Sequence, residues 1–136
     1  MNFKVELALG ANLGSREDNI QKAIEELALV VGKVIYRSKM VETEPYGFLS
    51  PNNFLNIIII IETKLNPSEL LKKTKQIEKQ LGRDLKVKDS TLYQDRPIDI
   101  DILKFENINF ISKQLNIPHL KINERFFFNI NWLNNQ

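Results

Sequence analysis

The sequence contains no cysteine, and its single histidine, single tryptophan, five glycines and five prolines are spread over 136 residues. Without cysteine there is no disulfide framework and no thiolate metal site, which fits a reducing cytoplasm. No run is long and apolar enough to cross a bilayer. The most apolar one, FLNIIIIIET at 54–63, is far too short and β-branched, which predicts a buried strand. The opening MNFKVELALG lacks the basic start and apolar stretch of a signal peptide. Charge of one sign is also scarce: the net charge of +2 does not imply nucleic acid, yet it leaves room for a local basic patch facing a polyanionic small molecule. No internal repeat or low-complexity linker divides the chain. A single domain over residues 1–136, soluble, cytoplasmic and monomeric, is the expectation, with no nucleic-acid or membrane partner.

What is present is an ordinary globular composition, 43% hydrophobic and 26% charged, enough to build a core. Alternation from Phe3 to Leu9 predicts a first strand ending in the turn GANLGS. Ser15 followed by Asp18 resembles a capping box, and Ile20, Ala23, Ile24, Leu27 and Val30 recur at helical spacing, giving a first helix from about Arg16 to Val31. Gly32 ends it, and KVIYRSKMVET is expected as a second strand. After the loop TEPYGFLSPNN comes the strand Phe54 to Thr63. Asn66 and Pro67 then start a second helix that Gly82 closes. ENINFIS is expected to return as a short hairpin partner of the strand in RPIDIDILKF, and NERFFFNINWL to hold a short last helix. GANLG lacks both the G-x-G-x-x-G pattern and its strand–helix context, so no dinucleotide loop is expected. The order β-α-β-β-α-β predicts an α+β, ferredoxin-like antiparallel sheet with both helices on one face.

The stretch RPIDIDILKF poses the chemical question. In a strand, Asp99 and Asp101 share one face while Ile98, Ile100 and Ile102 share the other. Two carboxylates so close raise each other's proton affinity unless a cation neutralises them. Hard oxygen donors with no histidine or cysteine beside them in the sequence favour magnesium over zinc. Magnesium takes one or two carboxylates and completes its shell with water and substrate phosphates, which points to a nucleoside-triphosphate site. Arg83, Lys86, Lys88 and Arg96 concentrate positive charge in and beside the loop entering this strand, as phosphoryl transfer requires. The same D-x-D pattern also suits a solvated strand face, and the lysines a solvated loop.

LGANLGS follows the first strand, TEPYG and NFLN flank the third, and IEKQLGR closes the second helix. RPIDIDILKF and IPHLKINERFFF come after, in that order, and together these segments span nearly the whole chain. With them the sequence resembles the 6-hydroxymethyl-7,8-dihydropterin pyrophosphokinase family of folate biosynthesis. The resemblance implies a ferredoxin-like fold and magnesium-dependent transfer of the β,γ-pyrophosphoryl group of ATP to the pterin hydroxymethyl oxygen, leaving AMP. It implies that Asp99 and Asp101 hold two magnesium ions. Arg83, Arg96, His119 and Arg125 would meet the phosphates, the first two as catalytic groups. Glu78 would lie near the metal and phosphates, Lys75 on the ATP side, and Leu71 with Ile102 would form an apolar slot for adenine. Asn56 would read the pterin ring, with Thr43 and Tyr46 supplying backbone groups, Phe127 stacking, Phe54 lining and Tyr93 closing over it. Asp99 would also face the pterin. Ala11, Phe54, Lys75 and Tyr93 stand where the family usually has serine, tyrosine, glutamine and tryptophan. Two other readings fit part of the pattern: an RNA-binding module of the same fold, and a metal-dependent nucleotidyl transferase.

Overall fold

Strand β1 (Phe3–Ala11) runs through the middle of the sheet because both of its edges are claimed. It pairs antiparallel with β4 (Phe54–Thr63) on one side and with β5 (Asp99–Phe105) on the other. The structure, a computed structural model, describes residues 2–45, 50–82 and 95–119. Helix α1 spans Arg16–Val30 and α2 spans Pro67–Gln80. Strands β2 (Gly32–Arg37) and β3 (Val41–Thr43) both pair with β4, giving the order β2-β4-β1-β5 with β3 continuing along β4. That is the ferredoxin-like order the element sequence predicts.

Period-two alternation decides which face is covered. Val5, Leu7 and Leu9 of β1, Ile57, Ile59 and Ile61 of β4, and Ile100 and Ile102 of β5 all belong to one core cluster. Ile20, Ala23, Ile24 and Leu27 of α1 and Leu70 and Ile77 of α2 pack into the same cluster, so both helices lie on that face. Ile58, on the opposite face of β4, is also fully buried, which accounts for the unbroken isoleucine run. Among the described residues, no helix is long and apolar enough to cross a membrane.

Helix α2 starts as its sequence predicts. The Asn66 side chain accepts the Glu69 N–H at 2.8 Å, and Glu69 Oε1 accepts the Asn66 N–H at 3.0 Å, a reciprocal capping box with Pro67 in the first turn. Gly82, at φ +102°, supplies the left-handed turn that ends it. Helix α1 differs from the capping-box expectation. The Ser15 hydroxyl donates to Asp18 Oδ2 at 2.9 Å and makes no bond to a backbone N–H. An O–H donor facing a carboxylate gains a stronger bond than the same oxygen gains as an acceptor of an amide.

Two strand expectations are corrected. KVIYRSKMVET splits into β2 and β3 because Ser38 donates its N–H to Ile58 O, while its Oγ accepts the Ile58 N–H, both at 2.9 Å. A side chain thereby replaces the backbone carbonyl in the ladder. ENINFIS does not return along β5. The chain turns at Glu106, at φ +49°, and β6 (Phe110–Ile111) pairs with β7 (Asn116–Ile117) in a separate two-stranded sheet. The hairpin is tied back where the His119 N–H donates to Leu103 O at 2.9 Å. The last helix expected in NERFFFNINWL lies outside the described residues.

Candidate active site

Strand β5 is terminal in the sheet order, and the site is built around its outer edge. Asp99 pairs with Gly10 and Asp101 with Ala8, so both carboxylates project from the face opposite the helices. They share a cavity of about 260 Å³ with Arg96 and His119. Ile100 and Ile102, which belong to the helix-covered face, also line that cavity, as do Leu71, Lys75 and Glu78 of α2. The cavity therefore wraps over the strand edge, with Leu71, Ile100 and Ile102 beside Lys75 and Glu78 on the helix side and Asp99 and Asp101 on the other.

The edge itself is pinned by Glu78. The Ile100 N–H points away from β1 and donates to Glu78 Oε2 at 2.9 Å, a buried bond that fixes the strand between the two aspartates. Asp99 is only 5% exposed, and Arg96 stands 3.1 Å from its Oδ1. His119 Nε2 lies 3.7 Å from Asp101 Oδ1, too far for a hydrogen bond. Each carboxylate thus faces a nitrogenous side chain within the cavity. Among the described residues no group of three or more histidine, cysteine or acidic side chains converges. Two carboxylates lining one cavity, Asp99 largely buried and Asp101 more open, match the oxygen donor set magnesium uses, and they do not make a closed structural zinc site.

On the far side of Gly10 lies the second half of the site. Gly10 pairs with Asp99 on one edge and with Asn56 on the other, so one row across the sheet carries a carboxylate, a glycine and an amide. A Cβ on Gly10 would come within 3.1 Å of Asn56 Oδ1 and 3.4 Å of the Phe54 ring. The missing side chain lets both close over the strand. Asn56 Nδ2 donates to Thr43 Oγ1 at 2.8 Å and to Val41 O at 3.0 Å, leaving Oδ1 directed toward Gly10. Leu55 turns the other way, against the core, as alternation requires.

Of the site residues expected from sequence, the structure gathers Leu71, Lys75, Glu78, Arg96, Asp99, Asp101, Ile102 and His119 around one cavity. Thr43, Phe54 and Asn56 are placed together beside Gly10. Tyr46, Arg83, Tyr93, Arg125 and Phe127 lie outside the described residues. Sequence reasoning missed Gln114, Leu115 and Asn116, which line the cavity from the β6–β7 hairpin. Two polar residues in a short hairpin carry no signal that separates a ligand contact from a solvated turn.

Residues 6–135 match the family model described as 7,8-dihydro-6-hydroxymethylpterin-pyrophosphokinase. The chain belongs to this family. The 2-amino-4-hydroxy-6-hydroxymethyldihydropteridine pyrophosphokinase of Porphyromonas gingivalis is 41% identical to it over 124 residues, 90% of this chain and 84% of that one. The Bacillus subtilis protein of the same name is 40% identical over 131 residues, covering 93% of this chain and 74% of its own. In the folate synthesis bifunctional protein of Arabidopsis thaliana, 40% identity extends over 124 residues but only 25% of that longer chain. Among solved structures, the Plasmodium falciparum HPPK-DHPS protein crystallised with pteroate superposes with a TM-score of 0.70 over 93% of this chain and 37% of its own. At 16% identity that likeness carries the fold alone. Pyrophosphokinase relatives thus extend along nearly the whole sequence, and the cavity at β5 falls inside the matched range.

Proposed function

We propose that the protein transfers a pyrophosphoryl group from ATP to 6-hydroxymethyl-7,8-dihydropterin with the help of magnesium, releasing AMP, as a step of folate synthesis. The observation that carries this reading is the pair Asp99 and Asp101 on one face of β5. Both open into a cavity with Arg96, His119 and Lys75, one glycine away from Asn56 and Phe54. In the transfer, the hydroxymethyl oxygen bonds to the β-phosphorus, and the bond from that phosphorus to the oxygen bridging to the α-phosphate breaks. AMP leaves with the bridging oxygen, and the hydroxyl proton passes to water.

The described residues are given parts that suit their places, and Arg83, Arg125, Tyr46, Tyr93 and Phe127 are given theirs from the family pattern alone. Asp99 and Asp101 would hold magnesium, which when bound would supply positive charge that offsets the phosphate oxygens and lowers the proton affinity of the pterin hydroxyl. Glu78 keeps the strand between those aspartates fixed through the Ile100 N–H. Arg96, His119, Arg83 and Arg125 offset the charge spread over the transferring group. Leu71 and Ile102 give adenine an apolar surface. Asn56 Oδ1 accepts a ring N–H, Phe54 lines the ring, and Thr43 holds the Asn56 amide in that orientation. Tyr46, Tyr93 and Phe127 complete the pterin side.

The test is a product assay with ATP, magnesium and the hydroxymethyl-dihydropterin. The expected products are AMP and the pterin diphosphate in equal amounts. Pyrophosphate released in place of AMP would move the protein to the nucleotidyl transferases, and no AMP above background at saturating substrates would sink the reading.

A further inference from the structure

A second polar cluster lies outside the cavity and joins two loops far apart in sequence. Asn12, just past the end of β1, is 2% exposed. Its Nδ2 donates to Asp95 Oδ1 at 2.8 Å and to Asn52 O at 3.2 Å. Its Oδ1 accepts the Arg96 N–H at 2.6 Å, and its own N–H donates to Arg96 O at 3.0 Å. The Asp95 carboxylate gathers two further donors, Ser50 Oγ at 2.7 Å on Oδ1 and Asn52 Nδ2 at 2.9 Å on Oδ2. One carboxylate and one buried amide thus clasp the segment entering β4 to the segment entering β5.

The two clasped segments lead to opposite halves of the site. Asn52 immediately precedes Asn53 and the start of β4, where Phe54 and Asn56 stand. Asp95 is bonded to Arg96, and β5 opens with Asp99 three residues further on. We infer that Asp95 is a positioning residue for the transfer, setting the spacing between the ring-reading half and the phosphate-binding half. The inference rests on the function proposed above, because only a reaction between two bound substrates needs that spacing. Affinity for each substrate alone depends on its own half, whereas turnover depends on both together, and a misplacement of about 1 Å can cost roughly a hundredfold in rate. A carboxylate that merely tethers loops would predict the opposite split: stability and affinity would change, with no specific loss of turnover.

Asp95→Asn keeps the size and the Oδ1 acceptor but sets an amide NH2 against the NH2 of Asn52. The expected result is a fall in kcat of about 10- to 100-fold, with the Kd of the pterin alone and of magnesium–ATP alone within about threefold of the parent. Exchange of the Arg96 amide, measured without substrates, should quicken by roughly tenfold. Adding Asn52→Asp restores a donor–acceptor pair with its direction reversed and should recover most of the lost kcat. An unchanged kcat, a loss that Asn52→Asp does not recover, or an equal loss of single-substrate affinity would each overturn the positioning role. So would an Arg96 amide that exchanges no faster. A parent protein that yields no AMP while Asp95→Asn still quickens exchange would sink the functional reading and reduce the clasp to a loop tether, so the two failures are separable.

Discussion

Asp99 and Asp101 face different partners, and the difference sets what each substitution should do. Asp99 is buried and its partner Arg96 is close, at 3.1 Å, with both side chains mostly shielded from water. Asp101 is more open, and His119 stands farther from it, at 3.7 Å. Asp99→Ala and Asp101→Ala should each lower turnover by a hundredfold or more, on the order seen when a charge-stabilising group is removed from an active site. Only Asp99→Ala should also cost about 1–3 kcal/mol of stability, since it strips a shielded guanidinium of a charged partner. Chemical denaturation of the two variants separates these effects. If Asp101→Ala keeps full turnover, its metal-holding role is wrong. At this scale the carboxylate pair was legible because strand alternation forces residues two apart onto one face. The pairing of Asp101 with His119 was not, because it depends on where a hairpin and the chain after it return, which no local pattern encodes.

The elements were legible where a single periodicity runs unopposed. Phe54–Thr63 matches its predicted bounds because β-branched residues pack both faces of an interior strand, and α2 matches because cap, proline and closing glycine agree. The misses fall where a side chain does a backbone's work. Ser38 Oγ, standing in for a carbonyl, divides one predicted strand into two, and the Ser15 hydroxyl goes to a neighbouring carboxylate when a cap was expected. The two helix starts should therefore respond differently to the same change. Asn66→Ala removes a made capping bond and should lower unfolding free energy by about 1 kcal/mol, while Ser15→Ala should fall well below that. Urea unfolding of the two variants checks the contrast; equal losses would mean that Ser15 caps α1 in solution.

For the whole molecule, the sheet order followed from the order of elements, since β-α-β-β-α-β with both helices on one face leaves few other arrangements. The cavity did not follow, because it forms only where α2, the outer edge of β5 and the β6–β7 hairpin meet. A ligand held by several elements at once stabilises the fold by mass action. Magnesium–ATP at about 100 times its dissociation constant should add roughly 2.7 kcal/mol, visible as a higher Tm. The shift should vanish in an Asp99→Ala, Asp101→Ala double variant; one that persists undiminished would place the nucleotide elsewhere. The bond from the Ile100 N–H to Glu78 has a further outcome at this scale. An outermost strand with an open amide invites another polypeptide to extend the sheet, the usual route to unwanted self-association. With a buried carboxylate over that amide and Leu103 O occupied by the His119 N–H, the β5 rim has two of its backbone groups taken by the chain itself. The groove beside it stays open to small molecules while that stretch of edge offers fewer free groups to a second chain.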